Sequence, residues 1–400
     1  MANKVANVDV VTDAISGEAV NDRAQRQGHR LPSLQAMPTN MLRSHLHRMP
    51  AVAAEVTEAV VADDLAVGAA ASSSFAAKAR STVSTGAVTA MATNAFDGRL
   101  FVANYADDAV MVLDGRTLSV VSTIAGVPEP YSLAVAQGRA YVSAMDCGQD
   151  VVAVLDDEAV LDSHTLADAV QDVVADREGR NVYVARTSPA GADVAVIDTA
   201  TGQVRTIEVN SRPGEVANTL TLSGDGRTLF VATTDQLGGR LIVISTADLR
   251  VFDTLTVIEP IRGFAASHDG RTVWVATDDD KAGGLVDALD LRSHRVIGTA
   301  AVGGAVRQLM LSAVGDRVYA VTDDAVVVVC TNTHQVVDRI DTEAAASCVT
   351  ESVDGSRLYV ADLDGRITLY SVTSATPSML DRMSTPEALA GPAVRELQRV

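Results

Sequence analysis

The sequence predicts an all-β protein built from a seven-fold internal repeat. Seven tight turns recur along the chain, each with a glycine that is followed within two residues by an arginine. An aromatic residue follows each glycine by three or four positions; these are Phe101, Tyr141, Tyr183, Phe230, Trp274, Tyr319 and Tyr359. They lie 40 to 47 positions apart, the period at which four short strands form one propeller blade. We therefore predict a seven-bladed β-propeller of four-stranded blades.

Each repeat contains four predicted strands, which we name A to D in chain order. An apolar strand A precedes the glycine turn, as at residues 219–223, and strand B carries the aromatic residue. A valine-rich strand C follows a loop, as at residues 194–198, and a short turn leads into strand D, as at residues 203–209. Such a blade is apolar on both faces, so the blades must stack around an axis and close into a ring.

Ring closure requires an outer strand for the last blade, and two segments compete for that place. Residues 379–385 align with residues 336–342 of the preceding repeat, and the sequence favours them. The alternative is residues 81–85, which would join the two ends of the repeat region. We accordingly predict a partly helical or flexible N-terminal extension at residues 1–80, a propeller at residues 81–385 and a tail at residues 386–400.

Two motifs recur in the best-defined repeats. Asp-Gly-Arg precedes a Leu-Phe-Val-Ala type of strand B, as at residues 225–233, and Val-Ile-Asp-Thr-Ala-Thr-Gly occurs at residues 196–202. Over residues 85–385 the repeats resemble the YVTN-type repeats of bacterial YncE-like β-propeller proteins. That resemblance implies the fold, but it implies little about function because the repeats are structural. The family includes binding proteins, one type of which is linked with single-stranded DNA.

The composition restricts the class of partner. A formal net charge of -19 disfavours a whole-molecule affinity for nucleic acid or for an anionic membrane. Three cysteines without a CxxC motif indicate neither a disulfide framework nor a zinc module. The sequence contains no apolar stretch of the roughly 20 residues that a transmembrane helix needs, and no secretory signal is recognised. We expect a cytoplasmic monomer.

Polar residues recur eight positions before the turn glycine in the last five repeats. They are Gln171, Asn218, Arg262, Arg307 and Ser347. Their common offset places them on equivalent positions of the innermost strands, at the mouth of the central channel, where propellers commonly bind ligands. Gln171 and Asn218, together with the two arginines, predict a site for a small anionic ligand. The competing interpretation is a water-filled channel without a ligand.

Aspartates collect in the loops between strands B and C, and Asp278, Asp279 and Asp280 form the densest cluster. Carboxylate oxygens suit a hard divalent cation such as calcium. We therefore predict a candidate metal site at these three residues, with a divalent cation as the candidate cofactor. The competing interpretation is that the loop aspartates cap backbone amides. The seven turn arginines belong to the opposite face, where we expect them to form structural ion pairs.

The sequence favours a non-enzymatic binding or scaffold protein that engages a partner protein or a small ligand through its loop faces or channel mouth. Catalysis has little support, because the histidines fall in different repeats and no phosphate-binding loop occurs. Two alternatives stay open. One is a metal-dependent, lactonase-like hydrolase that uses carboxylates at the channel mouth. The other is single-stranded nucleic-acid binding through the basic interval at residues 23–48 and the face of the turn arginines.

Overall fold

A computed structural model describes residues 60–61, 74–166, 169–209, 211–279, 283–373 and 398–399. Seven antiparallel sheets account for nearly all of these residues. Strands A of neighbouring blades contact one another in sequence order, and strand A of the last blade contacts strand A of the first. The predicted seven-bladed propeller of four-stranded blades is confirmed.

The strands, numbered in chain order, fall into four concentric sets. The innermost strands A are β3 (Val88–Thr93), β7 (Leu133–Ala136), β11 (Ala169–Ala175), β15 (Val216–Leu222), β19 (Gly263–Ala266), β23 (Gln308–Leu311) and β27 (Ala346–Glu351). Strands B are β4 (Leu100–Asn104), β8 (Arg139–Asp146), β12 (Asn181–Ser188), β16 (Thr228–Asp235), β20 (Thr272–Asp279), β24 (Arg317–Val321) and β28 (Arg357–Asp362).

The outer half of each blade contains strands C and D. Strands C are β5 (Ala109–Leu113), β9 (Gln149–Leu155), β13 (Gly191–Asp198), β17 (Gly238–Ser245), β21 (Gly283–Asp290), β25 (Ala325–Cys330) and β29 (Arg366–Val372). Strands D of the first six blades are β6 (Val120–Ala125), β10 (Val160–Thr165), β14 (Val204–Glu208), β18 (Arg250–Val257), β22 (Arg295–Gly303) and β26 (Val336–Asp341).

The hydrophobic core lies between the blades. Each strand-B aromatic residue packs with side chains of a neighbouring blade; Trp274, for example, shares a cluster with Val318 and Val327 of blade 6. Tyr359 of the last blade donates its hydroxyl to the carbonyl of Gly115 in the first blade, at 2.5 Å. Trp274 is only 4% exposed, which confirms that the single tryptophan is a packing residue. Because the core is shared, no blade can bury its apolar faces alone.

The closing strand comes from the N-terminal side of the chain. Strand β2 (Phe75–Thr82) pairs antiparallel with β29, from Phe75 opposite Val372 to Thr82 opposite Arg366. The favoured prediction, closure by residues 379–385, is therefore wrong, and those residues lie outside the described ranges. The strand that closes the ring begins at Phe75, ahead of the alternative segment at residues 81–85.

The reason for this closure is an aromatic contact that the repeat pattern does not contain. Phe75 is 7% exposed and packs edge-on against Tyr319, with the ring centroids 6.1 Å apart. The guanidinium carbon of Arg317 lies 5.8 Å from the centre of the same ring. Phe75 thus fills the core between the sixth and seventh blades, where a buried ring contributes more than edge pairing alone.

Two short strands add to the outer edges of blades. Strand β1 (Val60–Val61) pairs with β2, and β30 (Gln398–Arg399) pairs with β18 of blade 4. Apart from these residues and residues 74–80, the predicted N-terminal extension and the C-terminal tail lie outside the described part of the chain. Across the described ranges, no helix is long and apolar enough to span a membrane.

Candidate functional site

The residues predicted to surround the channel mouth share one structural position. Gln171, Asn218 and Ser347 are the extra residues of β-bulges near the start of their innermost strands. Arg262 and Arg307 stand directly before β19 and β23, and their amides donate to the carbonyls of strand B at 2.9 and 2.8 Å. We call the face on which strands A begin and strands B end the channel-mouth face.

Asn218 at this position already has hydrogen-bond partners within the protein. Asn218 Nδ2 donates to Thr234 Oγ1 at 2.6 Å and to the carbonyl of Ile261, in the next blade, at 2.8 Å. It thereby positions the residue directly before Arg262. Gln171 is 5% exposed.

The two arginines form ion pairs with the end of strand B in their own blades. Arg262 Nε lies 2.7 Å from Asp278 Oδ2, and Arg307 Nη2 lies 2.6 Å from Asp323 Oδ1. The structure therefore joins Arg262 of the predicted ligand site to Asp278 of the predicted metal site. The sequence does not link the two residues, because they lie 16 positions apart and only the register of β19 with β20, where Gly263 pairs with Ala276, brings them together.

The predicted metal site is only partly described. Asp278 pairs with Arg262, Asp279 ends β20, and Asp280 lies outside the described ranges. Within the described residues, no group of three or more histidine, cysteine, aspartate or glutamate side chains is arranged to hold a metal ion. The cation site at Asp278, Asp279 and Asp280 stays a prediction.

Further ion pairs, which sequence reasoning missed, continue this arrangement through blades 3 and 4. They are Arg186 with Asp193 at 2.7 Å, Arg212 with Asp235 at 2.9 Å and Arg240 with Glu215 at 2.8 Å. Glu215 is fully buried and Arg240 is 7% exposed, so removing either partner would leave a buried charge uncompensated. Together with the pairs of Arg262 and Arg307, they form what we call the ion-pair arc, across blades 3 to 6.

Blades 1 and 2 have a different charge pattern on the same face. Their loops carry the carboxylates Asp107, Asp108, Glu129, Asp146 and Asp150, and the described residues of these loops include no lysine or arginine. Asp108 Oδ1 accepts the amide of Glu129 at 2.9 Å, and Asp107 Oδ1 accepts the hydroxyl of Thr85 at 2.7 Å. These contacts support the capping interpretation of the loop aspartates. We call this part of the face the acidic sector.

The turn arginines on the opposite face pair mainly with acids of their own turns. Arg317 lies 3.0 Å from Asp316, and Arg180 lies 2.7 Å from Glu178. Arg99 contacts both Asp97 and Asp157, the second from the neighbouring blade. These contacts favour the structural interpretation of the repeated arginines, although an exposed pair such as Arg180 with Glu178 contributes little stability.

One residue further along each innermost strand, a second position forms a ring around the channel. From the strand registers, its members are Ala90, Ser132, Asp172, Thr219, Gly263, Gln308 and Cys348. We call them the inner ring. Three of these side chains accept the backbone amide of the next blade: Ser132 from Val173 at 3.1 Å, Asp172 from Leu220 at 3.0 Å and Gln308 from Val349 at 2.8 Å.

Asp172 is the most connected member of the inner ring. Its carboxylate also accepts the hydroxyls of Ser132 and Thr219, both at 2.6 Å, so it joins blades 2, 3 and 4. Burial raises the pKa of Asp172 above its ordinary value, against the opposing effect of its hydrogen-bond donors. The residue reads from sequence as one acid in an apolar strand, and only the closed ring shows that its partners come from both neighbouring blades.

Comparisons with known proteins agree with this architecture. No protein-family model matches the chain. Over 326 residues the chain is 33% identical to the seven-bladed beta-propeller protein Rv1057 of Mycobacterium tuberculosis, an alignment that covers 72% of this chain and 83% of that protein. A seven-bladed beta-propeller protein of Mycolicibacterium smegmatis is 38% identical over 69 residues, which cover 17% of this chain and 19% of that protein.

A similar fold occurs in a solved structure. Kuenenia stuttgartiensis hydrazine synthase superposes with a TM-score of 0.61 at 18% sequence identity, covering 72% of this chain and 97% of that chain. At this identity, the likeness shows the fold alone.

Proposed function

Since the chain belongs to the family of seven-bladed β-propeller proteins, we propose that it is a non-enzymatic binding or scaffold protein whose channel-mouth face engages its partner. The observation that carries the proposal is the division of that face into the ion-pair arc and the acidic sector. Complementary charge steers association and selects partners. A face divided in this way favours a partner protein with a basic patch over the acidic sector, or a small ligand at the channel mouth.

The proposal keeps the finer sequence-based interpretations. The YVTN-type motifs support a place among the YncE-like binding propellers, and the composition supports a cytoplasmic monomer. Gln171, Asn218, Arg262 and Arg307 are the proposed ligand-side residues, with Asn218 in a positioning role because it holds the carbonyl of Ile261.

A lysine-rich peptide tests the acidic sector. Replacing Asp107, Asp108, Asp146 and Asp150 by asparagine removes their charge and keeps much of the amide-capping capacity. Each exposed charge contact contributes on the order of 0.3–0.5 kcal/mol, so we expect the peptide's Kd to rise about tenfold. The measurement is fluorescence anisotropy at physiological salt.

The matched control carries Glu158→Gln and Glu178→Gln on the opposite face, both exposed in the structure. This control variant should bind the peptide as the wild type does. Weakening by the control in proportion to the charges removed, two against four, would mean that the peptide senses net charge rather than the channel-mouth face, and the proposal would fail.

A cation at Asp278, Asp279 and Asp280 remains part of the proposal. It would compete with Arg262 for the Asp278 carboxylate, because the guanidinium already occupies Oδ2. We expect calcium to raise the Tm of the wild type but not that of a variant with Asp278→Asn and Asp279→Asn. Thermal unfolding with calcium and with a chelator decides the point; an unchanged Tm in both proteins would remove the cation site.

A further inference from the structure

The inner ring is interrupted at the junction of blades 5 and 6. By its pairing with strand B, the Leu309 amide is equivalent to those of Val173, Leu220 and Val349. Each of those three amides donates to the inner-ring side chain of the preceding blade. At Leu309 the preceding blade presents Gly263, which has no side chain to accept a hydrogen bond.

The geometry around Gly263 shows that this gap faces the Leu309 amide. A Cβ atom added to Gly263 would lie 3.2 Å from the Leu309 nitrogen and 3.6 Å from the Cα of Gln308. The missing side chain therefore leaves the space next to this N–H that Ser132 fills at the junction of blades 2 and 3. A backbone donor without an acceptor is costly to leave unpaired, so an acceptor that enters this space is favoured.

Two arginines lie next to the gap along the chain. Arg262 directly precedes Gly263, and Arg307 precedes Gln308 in the next blade. Their ion pairs use Nε of Arg262 and both Nε and Nη2 of Arg307, so each guanidinium has further N–H donors. Their side chains are 29% and 17% exposed, so neither is fully enclosed.

We propose that the junction of blades 5 and 6 binds the carboxylate group of a small ligand, with the Leu309 N–H and the flanking guanidinium groups as donors. The inference rests on the proposed function, because it names the ligand chemistry of the same face. Asp278 and Asp323 already neutralise the two arginines, so the net charge of -19 decides, and it repels a phosphate dianion roughly twice as strongly as a carboxylate. Charge therefore favours the monoanion.

The junction of blades 1 and 2 serves as an internal control, because its amide also lacks a side-chain acceptor but no arginine precedes it. At the junction of blades 1 and 2 the inner-ring residue is Ala90, which cannot accept the equivalent amide of Leu133. The residues at the preceding position are Thr89 and Tyr131, and Thr89 Oγ1 donates to the carbonyl of Pro130 at 2.8 Å. This junction offers an amide but neither guanidinium group.

Three of the equivalent amides belong to leucines. Isotope labelling of leucine therefore makes these three amides observable by NMR in one sample. In the full chain with isotope-labelled leucine, the amide signals of Leu133, Leu220 and Leu309 can each be assigned by a Leu→Met substitution. Sodium acetate is then titrated against sodium chloride at equal ionic strength. We expect a saturable shift at Leu309, no shift at Leu220, whose amide is held by Asp172, and no saturation at Leu133.

Gly263→Ser provides the decisive variant, because its hydroxyl can accept the Leu309 amide as Ser132 accepts that of Val173. Gly263→Ala fills the same space with a methyl group and serves if the serine variant does not fold. Both should abolish the acetate response, and inorganic phosphate should bind the wild type at least several-fold more weakly than acetate. A wild-type Leu309 signal that does not saturate overturns the inference whether or not either variant folds.

Retention of the acetate response in a folded Gly263 variant also overturns it, as does tighter binding of phosphate. The lysine-rich peptide separates this inference from the proposed function. If the acidic-sector variant still weakens peptide binding while acetate leaves Leu309 unchanged, the carboxylate site fails and the binding face stands. If acetate saturates Leu309 while the peptide ignores the acidic sector, the protein-partner form of the proposal fails instead.

Discussion

Two junctions of the inner ring differ in whether a side chain accepts the backbone amide of the next blade. Around Asp172, blades 2, 3 and 4 are joined by hydrogen bonds from Ser132, Thr219 and Leu220. At the junction of blades 5 and 6, Gly263 occupies the equivalent position and leaves the Leu309 amide without a side-chain acceptor. The strands follow the same register at both junctions, so the backbone offers seven equivalent positions. The side chains determine which amides have an acceptor in the preceding blade. We call a junction sealed where the inner-ring side chain accepts the amide of the next blade, and open where it does not.

The largest expected effect comes from breaking the sealed junction. Asp172→Ala would remove the acceptor of two hydroxyls and of the Leu220 amide, and would leave these donors enclosed. Because unsatisfied enclosed donors cost about 1–3 kcal/mol each and some regain water, we expect a net loss of about 3 kcal/mol. Urea unfolding measures this loss of unfolding free energy. A loss below about 1 kcal/mol would show that water replaces the carboxylate, and the two junctions would then differ little.

Gln308→Ala would convert a second sealed junction into an open one. The Val349 amide would lose its acceptor at 2.8 Å, and we expect a loss of about 1–2 kcal/mol in unfolding free energy. Faster hydrogen exchange at Val349 is the direct measurement. Gln308→Glu retains an acceptor oxygen and serves as the control; if it destabilises as much as the alanine variant, packing rather than the hydrogen bond holds this junction.

The carboxyl group of Asp172 should make the stability of its junction depend on pH. Burial raises the pKa of Asp172, so the unfolded chain releases this proton at a lower pH than the folded protein does. The stability associated with this group therefore falls as pH rises from about 4, the ordinary value, through the folded-state pKa, and is constant above it. Over that window the Tm of the wild type should fall relative to that of Asp172→Asn; parallel curves would contradict the expectation.

The smallest expected effect is a gain from sealing the open junction. Gly263→Ser would supply the missing acceptor and reduce the freedom of the unfolded chain, which together contribute about 0.5 kcal/mol after the tight 3.2 Å contact is relieved. Thermal unfolding with Gly263→Ala as the comparison separates the hydroxyl from the backbone effect. Equal stability of the two variants would mean that the Leu309 amide is already well solvated.

Much of the fold was predictable because its signals are local. A turn glycine with positive φ, such as Gly270 at 65°, and the aromatic residue of the following strand repeat within a few residues of each other. The offset that groups Arg262 with Arg307 also belongs to a single chain segment. The pairing of Arg262 with Asp278 was not predictable, because it depends on the register in which strand A meets strand B, with Gly263 opposite Ala276.

The repeat pattern in the sequence was enough to predict the seven blades, the residue of each blade that is buried at its centre and the positions near the channel mouth. These features follow from periodicity, since each blade repeats the same local solution. The tertiary structure alone decided that Phe75 closes the ring, that Asp172 joins three blades and that Gly263 leaves an amide open. Those outcomes depend on contacts between blades, where side chains distant in sequence meet only after the ring has closed.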